Sequence, residues 1–358
     1  MDLDRKIDAL ARLGKIISLY NGGGVATDRD PDARYFRLMA EALQRSRELN
    51  GWFTPENLHY ALGSWASLLD GGKLRAWIEP YRDRIKRQKM SRSVGVVIAG
   101  NIPLVGFHDL LCVLLTDHRF EGKLSSQDPY LLPCLSGILE ELEPGFAQQV
   151  SYTTGSLSKP EALIATGNDA TAAHLEYYFR DFPSLIRRNR NGIAVLTGAE
   201  TETDLAALAD DVFLYFGLGC RSVSKLYIPE DFDLGRLKES FRSYSSCFLH
   251  NKYRNNYDYH KSIFLVNREP FLDMGFLLVK EDTRLASPVS VLYVEKYPLK
   301  EALLGKLMEL EKKVQCIVSV EEMPYRGCLP GQSQHPGLAD YADGTDTLDF
   351  LLGLGDKN

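Results

Sequence analysis

The sequence predicts an α/β protein with mainly parallel sheet, organised as two lobes behind a helical N-terminal region. Three observations predict it. Short runs of strand length alternate with stretches of helical periodicity. Those runs are almost continuously apolar, as strands covered on both faces are. The chain has 358 residues, enough for about two domains.

Taken in order, residues 1–90 read as helical. Leu3, Ile7, Leu10, Leu13 and Ile17 recur at three- and four-residue spacing, and Leu58, Leu62, Trp65, Leu68 and Leu69 make a second stripe. At Val94 the pattern changes to an apolar run, Val94–Ala99, which stops at Gly100-Asn101-Ile102-Pro103; a helix is expected from Leu104 to Leu115. Further strands are expected at Ala162–Ala165, Ile193–Leu196, Lys225–Ile228, Ile263–Val266, Val289–Val294 and Gln315–Val318. Helices are expected between them at Asp169–Phe179, Glu202–Phe216, Leu234–Phe248 and Leu299–Lys312. The last thirty residues are rich in Gly, Pro and Asp and read as loop with a short closing element.

Composition narrows the function classes. Hydrophobic residues at 44% and charged residues at 25% are ordinary for a globular protein, which excludes disordered, collagenous and disulfide-scaffold readings. Lys and Arg number 42 against 48 Asp and Glu, a net charge of −6, so a nucleic-acid partner is not expected. The N-terminal stretch MDLDRKIDALARLGKIISLY lacks the continuous apolar core of a secretory signal, and no uncharged apolar run reaches the about 20 residues a membrane span needs. The six cysteines are scattered without a Cys-x-x-Cys pair. Reduced thiols and a cytoplasmic location are therefore the expectation, and no metal-ligand spacing is present.

Three segments can carry chemistry. Gly217-Leu218-Gly219-Cys220-Arg221-Ser222 joins an expected helix to an expected strand. Glycines around Cys220 leave its sulfur unobstructed, and a thiolate attacks carbonyls and thioesters near neutral pH. The alternative is a buried thiol packing as a small hydrophobe. Ala99-Gly100-Asn101 leaves a strand for a helix, a standard ligand position in α/β sheets, and an Asn amide there can donate to a developing oxyanion. The same residues also suit an ordinary turn. Thr166-Gly167-Asn168 precedes a helix N-terminus, which favours phosphate, although Asn168 equally suits a plain N-cap. A basic and aromatic stretch, Tyr244 to Lys261, reads as a solvated helix end and loop or as a surface for the substrate's carrier, and Cys247 and His250 within it are spaced as a weak Cys–His candidate.

In order and spacing these segments resemble the aldehyde dehydrogenase superfamily, and within it most closely the LuxC-like acyl-CoA reductases, from about Val94 to the C-terminus. The resemblance implies an aldehyde-dehydrogenase-like fold of two Rossmann-like lobes: residues 1–190 for the cofactor, 191–320 for catalysis, and 321–358 packing back across them. It implies Cys220 as the nucleophile and the Asn101 amide as an oxyanion donor. It places Ala99, Gly100, Lys123, Ser125, Ser126, Thr166, Gly167 and Asn168 around the nicotinamide cofactor. Where NAD-preferring relatives carry Glu this chain has Ser126, which does not repel a 2′-phosphate, so NADP(H) is favoured over NAD(H), with Lys123 as the phosphate's partner. The segment Gly331 to Gly344 resembles the superfamily's closing motif on the substrate side. A homo-oligomer is also implied.

Two departures from the superfamily refine the expected activity. The stretch corresponding to the motif with the water-activating glutamate reads Arg187-Arg188-Asn189-Arg190-Asn191-Gly192 and has no carboxylate. That favours reduction of an acyl-CoA or acyl-carrier-protein thioester to the aldehyde through an acyl-cysteine over oxidation of an aldehyde to the acid. Arg284-Leu285-Ala286-Ser287-Pro288 lacks the glutamate that holds the nicotinamide ribose, which keeps acyl transfer without hydride as an alternative. A non-catalytic protein retaining the fold is the alternative from another class.

Overall fold

Helical periodicity becomes packing at once: Leu3, Ile7, Leu10, Leu13 and Ile17 are all buried on one face of the helix Leu3–Asn21. The computed structural model of the protein describes residues 2–23, 31–88, 90–167 and 169–354, with the side chains of 169–171 left aside. Four further helices follow before the first strand: Ala33–Leu49, Pro55–Leu68, Gly71–Ile78 and Arg82–Arg87. Two start at side-chain caps, Thr54 accepting from Asn57 N–H and Asp70 accepting from the N–H groups of Gly72 and Lys73.

The chain divides into two units. The first comprises Met1–Arg188 with Gly337–Asn358, and the second Asn189–Pro336. The first holds an all-parallel sheet of β1 (Ser93–Val97), β2 (Arg119–Lys123), β3 (Val150–Thr153), β4 (Ala162–Thr166) and β5 (Ser184–Arg187) in the order β3-β2-β1-β4-β5. The crossover helices Phe107–Leu115 and Leu131–Leu142 link β1 to β2 and β2 to β3. The N-terminal helices, the buried face of this sheet and the C-terminal residues Leu338, Tyr341, Leu348, Leu351 and Leu352 share one hydrophobic core. Arg187, at the end of β5, donates to both oxygens of Asp109 at 2.8 and 2.9 Å and to Thr347 Oγ1 at 2.9 Å; all three are buried. A buried pair of this kind fixes geometry, and removal of either charge leaves the other stranded.

The second unit holds β6 (Asn191–Val195), β7 (Val223–Pro229), β8 (Leu272–Asp273), β9 (Leu278–Glu281), β10 (Val291–Tyr297), β11 (Val314–Val318) and β12 (Gly327–Cys328), in the order β12-β11-β6-β7-β10-β9-β8. Only the β8–β9 pairing is antiparallel. The helix Glu202–Phe213 crosses from β6 to β7, entered through a capping box of Thr201 and Asp204.

Several expected elements need correction. Ile263–Val266 is not a strand but the last turn of the helix Asn251–Val266; Phe264 is buried there while Leu265 and Val266 are exposed. A four-residue apolar run fits a strand and a helix end equally well. The helix expected at Leu234–Phe248 is a helix at Gly235–Ser240 followed by a 3-10 stretch, Arg242–Leu249. Six of the described strands, β2, β3, β5, β8, β9 and β12, had no expectation. Among them β2, Arg-Phe-Glu-Gly-Lys, hides behind its charges: Glu121 is buried and accepts a hydrogen bond from Ser158 N–H.

Candidate active site

In the first unit the strand order reverses between β1 and β4. From β1 the chain steps outward to β2 and β3, then returns to β4 and steps outward the other way to β5. Ligands of open α/β sheets bind outside the carboxyl ends of the strands at such a reversal. The sequence candidates gather at that edge. Val97 of β1 lies beside Lys123, the last residue of β2, and beside Ala165, next to the last residue of β4, Thr166. Ala99, Gly100 and Asn101 continue from β1, Ser125 and Ser126 from β2, and Gly167 from β4. Asn168 lies outside the described residues.

The loop after β1 is tightly held. Ile98 N–H donates to the Lys123 carbonyl at 3.1 Å, and any side chain at Gly100 would run into Ser125 Oγ and Cβ. The glycine is required by contact rather than by a left-handed backbone. The Gly100 carbonyl accepts from Asn50 Nδ2 at 3.1 Å, and Asn50 is buried at the end of the helix Ala33–Leu49. Asn101 itself is exposed. Asn50 was not a sequence candidate, because a single Asn after a helix reads as a cap.

In the second unit, Cys220 is exposed and stands in the turn that enters β7. The backbone ahead of it is unusual. Tyr215, Phe216 and Gly217 are consecutive left-handed residues with φ of 53°, 56° and 75°. Bulky residues in that region cost of order 1–3 kcal/mol each, so surrounding contacts must hold the turn. Tyr215 and Phe216 are both buried, and the Phe216 ring lies tilted against His250 with centroids 4.5 Å apart. Nothing in the residue types announces this strain, since neither Tyr nor Phe favours the left-handed region.

Hydrogen bonds fix the rest of the turn. Ser222 N–H donates to the Gly219 carbonyl at 3.0 Å, Gly219 N–H donates to Ser222 Oγ at 3.2 Å, and Gln334 Nε2 donates to Ser222 Oγ at 3.3 Å. The Cys316 thiol donates to the Arg221 carbonyl at 3.5 Å. Asp211, fully buried in the helix before the turn, accepts from Gly331 N–H at 2.6 Å and Ser333 N–H at 2.9 Å. Burial raises the Asp211 pKa, and those donors oppose the rise. The part of the closing segment from Gly331 to Gln334 is thereby tied to both ends of the Cys220 turn. Asp211 was not a sequence candidate either, because a lone Asp on a helix reads as solvated.

Gly192, at the start of β6, lies against the same turn: a Cβ there would stand 2.5 Å from the Arg221 carbonyl oxygen and 2.8 Å from that of Ser222. At Gly192 the stretch Arg187–Gly192 thus meets the turn bearing Cys220, and its second-unit residues, Asn189-Arg190-Asn191-Gly192, bear no carboxylate. Arg187, at the other end of that stretch, is committed to Asp109 in the first unit. The Arg284 side chain donates to Asp282 at 2.6 and 2.9 Å and lies over the Tyr293 ring at 5.0 Å. The Arg284 hydrogen bonds hold the Asp282 carboxyl well below the usual carboxylate range.

Within Tyr244 to Lys261 several side chains are engaged in the fold, while Leu249, Lys252 and Tyr259 are exposed. Tyr244 donates to Asp210, Tyr253 to the Phe276 carbonyl, and Lys261 pairs with Asp273 at 2.7 Å. His250 Nδ1 accepts from Tyr253 N–H as a helix cap, and burial pushes the Cys247 thiol up to about 11, which makes it a poor nucleophile.

No family model and no curated protein matches the sequence. Solved structures do match. Aldehyde dehydrogenase 21 from Physcomitrella patens, in complex with its product succinate, superposes with a TM-score of 0.65 at 11% identity, covering 99% of this chain and 84% of that one. The chain has the aldehyde dehydrogenase fold. An Escherichia coli NADP-dependent enzyme matches with a TM-score of 0.59 at 11% identity, covering 90% of this chain and 78% of that one. A Mycobacterium tuberculosis aldehyde dehydrogenase complexed with NAD+ matches with a TM-score of 0.54 at 12% identity, over 83% of this chain and 70% of that one. The likeness spans both units and the N-terminal helices. Among the described residues no helix is long and apolar enough to cross a membrane.

Proposed function

We propose that the protein is an NAD(P)H-dependent reductase of acyl thioesters, acyl-CoA or an acyl-carrier protein, releasing the aldehyde. The observation that carries this reading is local to the nucleophile. In an aldehyde dehydrogenase fold, Cys220 stands exposed in a braced turn, Gly192 packs against that turn, and the residues leading to it, Asn189-Arg190-Asn191, offer no carboxylate to activate water.

Cys220 thiolate attacks the thioester carbonyl. The carbon–sulfur bond to Cys220 forms, the electron pair moves to oxygen, and the carrier thiolate leaves as the carbonyl is restored. The Asn101 amide donates to the transient oxyanion, an interaction worth about 3–4 kcal/mol in comparable sites. Since Asn189–Gly192 supplies no carboxylate to activate water, the acyl-Cys220 persists. A nicotinamide cofactor fits the first unit's donor set: an ammonium at Lys123 and hydroxyls at Ser125, Ser126 and Thr166, all on the edge where the strand order reverses. When bound, it supplies the hydride that brings the acyl group to the aldehyde level. Collapse then returns the electron pair to the Cys220 sulfur. Lys123 and the absence of a carboxylate at Ser126 favour the 2′-phosphorylated form.

The Arg284 arrangement favours a second reading. Asp282, the carboxylate closest to the place of the ribose-holding glutamate, is occupied by Arg284 and by Lys280 at 3.1 Å. If the nicotinamide ribose is not held, acyl-Cys220 passes its acyl group to another thiol. Absorbance at 340 nm with acyl-CoA and NADPH separates the two. Reduction predicts NADPH loss matched mole for mole by trapped aldehyde. Acyl exchange between thiols with constant absorbance would replace reduction by transfer.

A further inference from the structure

We infer that Asn50 is a positioning residue for the oxyanion donor, acting through the peptide unit that precedes Asn101; this rests on the role proposed above for Asn101. The Gly100 carbonyl and the Asn101 N–H belong to one planar peptide group, so a hydrogen bond to that carbonyl orients the entry into Asn101 directly. Asn50 Nδ2 makes that bond at 3.1 Å from a side chain only 3% exposed.

Asn50 is itself held at every polar group. Its N–H donates to the Ser46 carbonyl at 2.9 Å, its carbonyl accepts from Phe53 N–H at 2.9 Å, and its Oδ1 accepts from Trp52 N–H at 3.0 Å. The Trp52 contact fixes which end of the amide points at Gly100. From the opposite side Ser125 packs so closely on Gly100 that no side chain fits. The peptide is gripped between a buried donor and a close wall, while Asn101 beyond it is exposed. The peptide entering Asn101 sets where its side chain starts, and misplacement by about 1 Å can cost on the order of 100-fold in rate.

A double-mutant cycle tests this, read as the rate of Cys220 acylation by a saturating acyl-CoA. Asn101→Ala is expected to slow acylation by about 10²–10³-fold. Asn50→Ala is expected to slow it by roughly 10- to 100-fold with little change in KM. Asn50→Leu removes the donor while nearly keeping the side chain's volume and adding no charge, so it serves where the alanine variant folds poorly. In the Asn101→Ala background either Asn50 substitution should cost almost nothing more, because its route of action is gone. Losses that multiply would overturn the Asn50 proposal and leave Asn101 standing. An Asn101→Ala enzyme acylated at the wild-type rate would overturn both.

Discussion

Asp128 shows how the site's surroundings carry a measurable charge cost. It is buried in the loop after β2 and accepts from the backbone N–H groups of Leu131, Leu104 and Tyr130, yet burial outweighs those donors and raises its pKa to about 6. A carboxyl with a raised folded pKa binds its proton more tightly in the folded chain. Stability from this group therefore grows as pH falls through about 6 towards the unfolded value near 3.9, and the ionised form costs on the order of 3 kcal/mol at neutral pH. Asn at this position keeps an acceptor and drops the charge. Asp128→Asn should raise the melting temperature at pH 7.5, with the advantage gone by pH 4; equal melting temperatures at both pH values would contradict it. The exposed position of Cys220 and the strand-end turns after β1 and β4 were legible because glycine-flanked thiols and strand-end turns have local signatures. Lys123, Ser125 and Ser126 came only with the resemblance, since β2 itself was not foreseen. Asn50, Asp211 and the left-handed Tyr215 and Phe216 were not legible, since their roles come from partners distant in the chain.

At the scale of elements, the turn bearing Cys220 is braced by its neighbours and not by its own preferences. The helix Glu202–Phe213, the segment Gly331–Gln334 and the start of β6 all touch it. Gly192 is the most exposed to test, because the atoms facing it are backbone oxygens that have no rotamer to change. Gly192→Ala should destabilise the protein by about 1–3 kcal/mol and alter the rate at which iodoacetamide labels Cys220. An unchanged melting temperature with an unchanged labelling rate would show that the turn yields freely. Elements were legible where apolar residues ran continuously, as in β1, β4, β6, β7 and β11. They failed where charge sat inside a strand, as with Glu121 in β2, or where a short apolar run ended a helix, as at Ile263–Val266.

For the whole molecule, alternation of strand and helix was enough to give α/β architecture, because parallel strands need crossovers and crossovers impose that rhythm. Strand order was not legible: the reversal between β1 and β4 that gathers Lys123, Ser125, Ser126 and Thr166 at one edge depends on non-local pairing. That the C-terminal segment packs back was expected from the resemblance, but its seat in the first unit's core was hidden, since Leu338, Tyr341, Leu348 and Leu351 are spread through a Gly- and Asp-rich tail. The proposed activity reduces to one covalent event. Intact mass spectrometry after mixing the protein with a panel of acyl-CoAs, without nicotinamide, observes it. The account predicts a single added acyl mass on the wild-type chain that persists for minutes, is discharged by NADPH, and is missing from Cys220→Ala. An acyl adduct of equal yield and rate on Cys220→Ala would contradict it.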